Sequence, residues 1–527
     1  MRIGIDVGGT NTDAVLLDGA GGDVSVLAAN KSATSADVTA GIIDTLDRLQ
    51  AERSFDPAQV QAVMIGTTHF INALVEARRL APTAALRLGL PATASLPPLV
   101  DWPERLVEAI SGRSYLAHGG HEFDGRHIAE LDEDELRRHA GDMVKHGVRS
   151  VAISSVFSPV SNEFELRAAE ILRSELGDDV AISLSHEIGR IGLLERENAT
   201  IINAALRELA ASIVDGLSGA VAGHGISAPL YLSQNDGTLM DVDFARRYPV
   251  ATFASGPTNS MRGAALLSGL DTCAVVDVGG TTSDVGVLTH GFPREATTEV
   301  DVAGVRTNFR MPDVLSIGIG GGSLVAEGGD SATDQVTVGP RSVGYRLTEE
   351  ALVFGGKTLT ATDIAVAAGR AEVGDVAAVA DLDPTLVKSA LARVAADIAD
   401  AVERMRTSPD PLPVVAVGGG SILLPDDLPG SLAVHRPDHF AVANAIGAAI
   451  AQVGGEVDRV YAIDPGRRDA VVDEARQEAV DRAIAAGADP AAVRIVDFDE
   501  VPIPYLPGNA TRIRCKAVGD LRLGEAS

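Results

Sequence analysis

An α/β fold of two similar half-domains facing each other across a cleft is what this sequence predicts, and three observations carry the prediction. The first is a duplication. Ile5-Asp6-Val7-Gly8-Gly9-Thr10-Asn11-Thr12-Asp13-Ala14-Val15 returns as Val276-Asp277-Val278-Gly279-Gly280-Thr281-Thr282-Ser283-Asp284-Val285-Gly286. The second is composition, 46% hydrophobic but only 4% aromatic and rich in Ala and Gly, which suits α/β layers. The third is length: 527 residues exceed one ordinary core, so two or three domains are expected.

Each copy of the repeat runs from a β-branched strand through Asp and two Gly into polar residues, a second Asp and a returning strand. That pattern reads as a hairpin with a tight turn. Paired glycines remove the Cβ atoms that would block a ligand and admit positive φ. Exposed N–H groups, with Thr hydroxyls and Asn amides, then form a concavity suited to phosphate oxygens. The Asp that leads each turn suits Mg²⁺ held against a phosphate, often through water. One such hairpin is as easily a plain connection. Two matching copies imply a nucleoside triphosphate clamped between two half-domains.

The net charge of −29 argues against a nucleic-acid or anionic-membrane partner. Cys273 and Cys515 make neither a metal-ligand spacing nor a disulfide framework, which points to a reducing compartment. The chain enters a strand at Ile3 with no signal-peptide pattern ahead of it, and no run approaches the ~18 apolar residues of a membrane span. A cytoplasmic, multidomain protein is expected.

In chain order, Val38 to Leu49 has helical spacing, with Asp37, Thr34 or Ser35 as its cap. Val63 to Ile65 is a strand ending in Gly66-Thr67-Thr68, either a ligand-facing loop or an ordinary strand–helix connection. Leu90 to Pro103 is a Pro-rich loop. His118-Gly-Gly-His121-Glu-Phe-Asp124-Gly-Arg-His127 is a His cluster that either binds Zn²⁺ or Mn²⁺ or is a loop hairpin whose imidazoles hydrogen-bond backbone or line a substrate cleft. Asp132 to Lys145 and Asn162 to Leu176 are helices flanking a buried strand at Val148 to Val156. A long helix follows Gly189 and runs to about Ala222. Its polar start, Arg196-Glu197-Asn198-Ala199-Thr200, either faces the cleft or solubilises the helix end.

Pro229 to Leu232 is a strand, and Ser255-Gly256-Pro257 opens a helix, either with an N-terminus that favours an anion or as an ordinary helix start. Ser316 to Leu324 holds the Gly320-Gly321-Gly322 turn, a phosphate or carboxylate loop or else a tight bend. Thr362 to Ala371 and Leu386 to Arg406 are helices. Val414 to Val417 is a buried strand ending in Gly418-Gly419-Gly420, and Asn444 to Gln452 is a small-residue helix. Past Gly454, a surface helix at Asp469 to Ala486 and two or three strands between Arg494 and Val518 form a small α+β appendix. The expected division is 1–185, 186–455 and 456–527.

The order of these motifs resembles the five-part nucleotide site of the actin-like ATPase and sugar-kinase superfamily, whose ribonuclease H-like domains are duplicated around a nucleotide cleft. Gly66-Thr67-Thr68, Arg196 to Thr200, Ser255-Gly256-Pro257 and Gly320 to Ser323 are similar to the A (ATP-binding) half of the hydantoinase/oxoprolinase family, over about residues 2–455. The family commonly has Gly after Ser-Gly-Pro, where this chain has Thr258-Asn259-Ser260.

The resemblance implies ATP-dependent opening of a cyclic amide such as a hydantoin or 5-oxoproline. An unstrained lactam resists water until phosphoryl on its carbonyl oxygen makes the carbon electrophilic. It also implies roles. Asp6 and Asp277 would hold Mg²⁺, while Gly8, Gly9, Thr10, Asn11, Gly279, Gly280, Thr281 and Thr282 would cradle phosphates. Gly418, Gly419 and Gly420 would leave room for adenosine. Asp13 and Asp284 would either polarise the nucleophile or only stabilise the hairpins. The base that activates water is not named by the sequence and can belong to a partner, a B-type or other subunit of an expected oligomer. Ketone carboxylation, small-molecule phosphorylation and an actin-like nucleotide switch use the same cleft.

Overall fold

The computed structural model describes all residues except 9–10, 21–22, 34–37, 297–298, 329–335, 430–431, 451, 505–508 and 524–527. Strands β1 (Arg2–Val7) and β2 (Asn11–Ala20) pair antiparallel with Asp6 opposite Asp13, the hairpin that the Gly-Gly turn predicts. Strand β3 (Asp23–Ala33) adds antiparallel to β2, and β4 (Ala62–Thr67) adds parallel to β1 with Gly66 opposite Asp6.

The chain then leaves this sheet. β5 (Thr83–Leu90), β6 (Arg113–His118), β7 (Ser150–Ser155) and β8 (Ala181–Leu184) make a separate parallel sheet in the order β6-β5-β7-β8. β9 (Leu230–Ser233) and β10 (Leu239–Asp241) return to the first sheet beside β4. The second copy of the repeat forms β11 (Cys273–Val278) and β12 (Ser283–Thr289), antiparallel with Asp277 opposite Asp284. The strand Val414–Val417 lies parallel to β11 as β4 lies parallel to β1. The repeat in sequence is thus a repeat in register, as the expected duplicated actin-like ATPase fold requires.

Each of the two sheets that carry a hairpin has an outer helical layer. Ile3, Ile5, Val63 and Ile65 cluster with Ile42 and Leu46 of the helix Val38–Glu52 and with Leu206 of the helix Leu193–Gly223. In the second half Val276 and Val278 cluster with Ile398 and Val402 of the helix Pro384–Met405. Each such aliphatic side chain, buried completely, contributes about 1.5–3 kcal/mol. The cap candidates Thr34, Ser35 and Asp37 lie outside the described residues.

The inner faces meet a pair of helices, Ser255–Ser268 and Ala443–Ala448. Val15 and Leu17 cluster with Ile446 on one side, and Cys273 and Val275 with Met261 on the other. The pair is pressed backbone to backbone. A Cβ on Gly263 would stand 1.9 Å from the Ala443 carbonyl oxygen, and one on Gly447 1.8 Å from that of Asn259. A Cβ on Gly4 would stand 2.2 Å from the Ala445 carbonyl oxygen, so β1 is equally close. The small-residue helix is shorter than its composition suggests because the chain turns by Gln452 into the strand Gln452–Ala462.

That strand pairs parallel with β10 and antiparallel with Ala510–Asp520, which in turn pairs with Arg494–Pro502. The C-terminal segment therefore extends the sheet of the first half, covered by the helix Arg468–Ala485. Among the described residues no helix is long and apolar enough to cross a membrane.

Candidate functional site

The two hairpin turns are closed identically. The Gly8 amide donates to the Asn11 carbonyl at 3.0 Å, and the Gly279 amide to that of Thr282 at 2.9 Å. Gly9 and Thr10 lie outside the described residues. Asn11 is half-buried at its turn, while Thr281 and Thr282 are exposed at theirs.

Below the turns, the four acidic residues meet the inner helix pair. Asp6 is 4% exposed and accepts two side-chain amides, Asn259 Nδ2 on Oδ1 and Asn444 Nδ2 on Oδ2, each at 3.0 Å. The same Asn444 amide reaches Asp13 Oδ2 at 2.7 Å. Lys31, opposite Asp13 in the β2–β3 register, places Nζ 2.8 and 2.9 Å from the two Asp13 oxygens. Across the pair, Ser260, the residue after Asn259, hydrogen-bonds Asp277, and Ser316 Oγ donates to Asp284 at 2.5 Å.

Burial raises the Asp6 carboxyl to about 6, with Asp13 and Asp277 adding repulsion and the two Asn amides opposing it. Asp284 is likewise pushed up to about 6, by burial first and by Asp277 further. Asp277 is raised by burial and by Asp13, against the Ser260 hydrogen bond and the Lys31 charge. A cluster of carboxylates that repel one another, met by Lys31, carries excess negative charge in a low-dielectric place. A divalent cation relieves such an excess, so the donor set fits Mg²⁺.

Close approach explains the small residues around the cluster. A Cβ on Gly66 would stand 2.2 Å from both Asp6 Oδ1 and Asn259 Nδ2. One on Gly418, at φ +82°, would stand 2.2 Å from Asp277 Oδ1, and one on Gly420 2.7 Å from Val278 Cγ1. Gly419 is exposed, with open space on its Cβ side. Thr67 exchanges hydrogen bonds with Ser255 Oγ, at 3.3 and 3.2 Å, and Thr68 Oγ1 donates to the Val7 carbonyl. The Gly-Thr-Thr and Ser-Gly-Pro motifs therefore tie the first hairpin to the inner helix.

The Gly320–Gly322 turn supports the second hairpin. Gly321 and Gly322 amides donate to the Gly279 and Gly280 carbonyls at 3.0 and 2.7 Å. The polar helix start at Arg196 faces neither cleft nor solvent. Arg196 and Glu197 are buried: Glu197 takes a bidentate pair from Arg87 at 2.5 and 2.7 Å, and Arg196 donates to Ser185 Oγ and the Ser155 carbonyl. These networks fasten the long helix to the four-stranded sheet.

Asn259, Ser260, Asn444 and Lys31 are the site residues that sequence reasoning missed. Thr258-Asn259-Ser260, a departure from the Gly that the family resemblance leads one to expect after Ser-Gly-Pro, was the available signal for two of them. Asn444 and Lys31 left none. A cavity of about 840 Å³ is walled by His186, Arg190, Asn235, Arg310 and Asp458. Asn235 of its wall is tied to the helix that carries Asn259: its Oδ1 accepts the Ala254 amide and its carbonyl accepts Thr258 Oγ1.

Comparison with known proteins places this geometry in a family. Residues 2–176 match the hydantoinase/oxoprolinase N-terminal region, and residues 196–408 match the hydantoinase/oxoprolinase domain. The caprolactamase subunit alpha of Pseudomonas jessenii is 29% identical over 398 residues, 70% of this chain and 54% of that protein. The acetophenone carboxylase gamma subunit of Aromatoleum aromaticum is 26% identical over 46% of this chain and 34% of its own length. The chain thus spans about half the length of the caprolactamase subunit it matches.

Two solved structures share the fold over the whole chain. They are the ATP-dependent caprolactamase from Pseudomonas jessenii, with TM-score 0.78 at 20% identity, and nucleotide-free acetone carboxylase, with TM-score 0.68 at 18%. Each is covered over 88% of its length. With one family matched on both sides of the duplicated hairpin, the chain belongs to the hydantoinase/oxoprolinase family.

Proposed function

We propose that this chain is the ATP-using subunit of an ATP-dependent cyclic amidase, acting on a hydantoin, 5-oxoproline or related lactam. The observation that carries the proposal is the repeated hairpin, whose Asp6 and Asp277 are held by consecutive residues, Asn259 and Ser260, of one helix. That arrangement supports a phosphate clamp with Asp6 and Asp277 as the carboxylates that would hold Mg²⁺. When bound, Mg²⁺ supplies charge neutralisation for the phosphates.

The chain's own groups do the rest by positioning. Backbone amides at Gly8–Asn11 and Gly279–Thr282 bind the β- and γ-phosphates, and the Gly418–Gly420 bend admits adenosine over the exposed Gly419. The γ-phosphoryl passes to the lactam carbonyl oxygen and ADP leaves. Water then adds to the carbon and the ring C–N bond breaks, leaving a free amine and an acyl phosphate, and a second water hydrolyses the acyl phosphate to carboxylate and phosphate. Asp13 and Asp284 orient the hairpins through Lys31 and Ser316. The water-activating base is assigned to a second subunit, in keeping with relatives that are themselves named as subunits. A cytoplasmic setting agrees with two free, buried thiols, Cys273 and Cys515.

The carboxylase relatives favour a second reading, ATP-dependent activation of a ketone enolate. ADP release by the purified chain with Mg-ATP, with and without a co-encoded subunit, separates the two. Lactam-stimulated turnover with ring-opened product is the expected result. Turnover that instead requires a ketone and bicarbonate assigns the chain to carboxylation.

A further inference from the structure

The His-rich loop lies away from the carboxylate cluster and has a geometry of its own. In the four-stranded sheet the chain leaves β5 toward β6 on one side and β7 toward β8 on the other. Adjacent strands whose connections diverge leave a crevice at their C-terminal ends, where open parallel sheets take ligands. The loop crosses that crevice. The His121 amide donates to the Val156 carbonyl at 3.1 Å, just past β7. Gly120, at φ +87°, lies over the end of β5, where a Cβ would stand 3.0 Å from the Leu88 carbonyl oxygen.

A bridge between His121 and His127 brings their rings to 5.1 Å, edge to face, and Phe164 packs 4.6 Å from each. Glu163, the neighbour of Phe164 and first residue of the helix Glu163–Leu176, completes the group. One ligand atom from each of His121, His127 and Glu163 lies within 4.8 Å of the other two. His121 is 1% exposed, and neither of its ring nitrogens has a hydrogen-bond partner. An imidazole buried in that way costs about 1–3 kcal/mol unless something takes its lone pair. His127 Nδ1 is held by Glu130 at 3.1 Å, the outer carboxylate that orients a ligating imidazole and leaves Nε2 to bind.

We propose that His121, His127 and Glu163 form a binding site for a divalent transition metal of the zinc class. Two imidazoles and one carboxylate are a Zn²⁺ donor set that leaves a fourth position for water or a ligand. The exposed His127 and Glu163 give the ion its entry path, and the buried His121 fixes its depth. The nearby trio His118, Asp132 and Glu135 is explained without an ion. His118 Nδ1 is 3.0 Å from Glu135, and Asp132 caps the helix Glu133–Lys145 by accepting the Glu135 amide.

Equilibrium dialysis of the full-length, nucleotide-free chain against ZnCl₂, with metal content read by mass spectrometry, tests the site. One zinc per chain is expected. His127→Ala and Glu163→Gln change exposed side chains, so they fold, and each weakens binding at least about tenfold; Glu130→Gln does so by about 10–100-fold. His118→Ala binds as the unmodified chain does. Absence of bound zinc in the unmodified chain overturns the proposal. So does zinc retained in both His127→Ala and Glu163→Gln, or lost in His118→Ala.

Discussion

The two hairpins share register, turn closure and paired carboxylates, yet they are held differently. Asp6 and Asp13 sit in a dense net of two asparagine amides and a lysine, with both carboxylates nearly inaccessible. Asp277 and Asp284 each lean on one serine hydroxyl and are only half-buried, beneath exposed threonines. Duplication therefore fixed the backbone, and residues outside the repeat divided the labour. The first copy is a rigid anchor, and the second is the more open, adjustable side.

Asp277→Asn is expected to produce the largest effect, a loss of ATP turnover of at least about 100-fold with the fold retained. Asp6→Asn should lose turnover and stability together, since its new amide nitrogen would face one of the two amide donors that Asp6 now accepts. ADP release and thermal melts on both variants check this; equal stability losses would erase the contrast between anchor and open side. Next is the helix pair on which both halves rest. Gly447→Val should cost roughly 1–3 kcal/mol or more, because a Cβ there meets backbone that cannot swing aside. A denaturant melt with an unchanged midpoint would show that the helices are not pressed as described.

A smaller effect concerns pH. The Asp284 carboxyl is raised by burial from 3.8 to about 6, so the folded chain holds this proton more tightly than the unfolded chain. Stability from this group is present below about pH 4, is lost as pH climbs through 6, and stays lost above. Asp284→Asn, which keeps an oxygen for Ser316, should stabilise the chain by about 1–3 kcal/mol at pH 8 and by nothing near pH 4. Melts across that range decide it. Smallest of all, Ser316→Ala removes the hydrogen bond that opposes the Asp284 shift. The acidic edge of ATP turnover should then move upward by less than about one pH unit, read from a pH–rate profile.

The hairpins were legible because strand alternation, Asp and Gly-Gly occupy one short window and appear twice. Outer helices were legible from apolar spacing. The partners of the carboxylates were not, since Asn259 and Asn444 reach Asp6 from across the chain and only tertiary folding brings them there. The Gly320–Gly322 turn reads like a phosphate loop because the composition that admits a phosphate also admits another backbone. The Arg196–Glu197 start misleads in a similar way: charge suggests exposure, but a bidentate partner 110 positions away makes burial tolerable.

The strand Gln452–Ala462 continues a sheet begun at residue 2, beside β10 at Leu239–Asp241. During synthesis the ribosome must add more than two hundred residues after β10 before that neighbour emerges, an interval of roughly 10–40 s at ordinary elongation rates. Throughout it, the nascent first half carries an open strand edge, the feature most prone to pairing with other chains. Production of this protein should therefore depend on chaperone supply and growth temperature more than its compact native form would suggest.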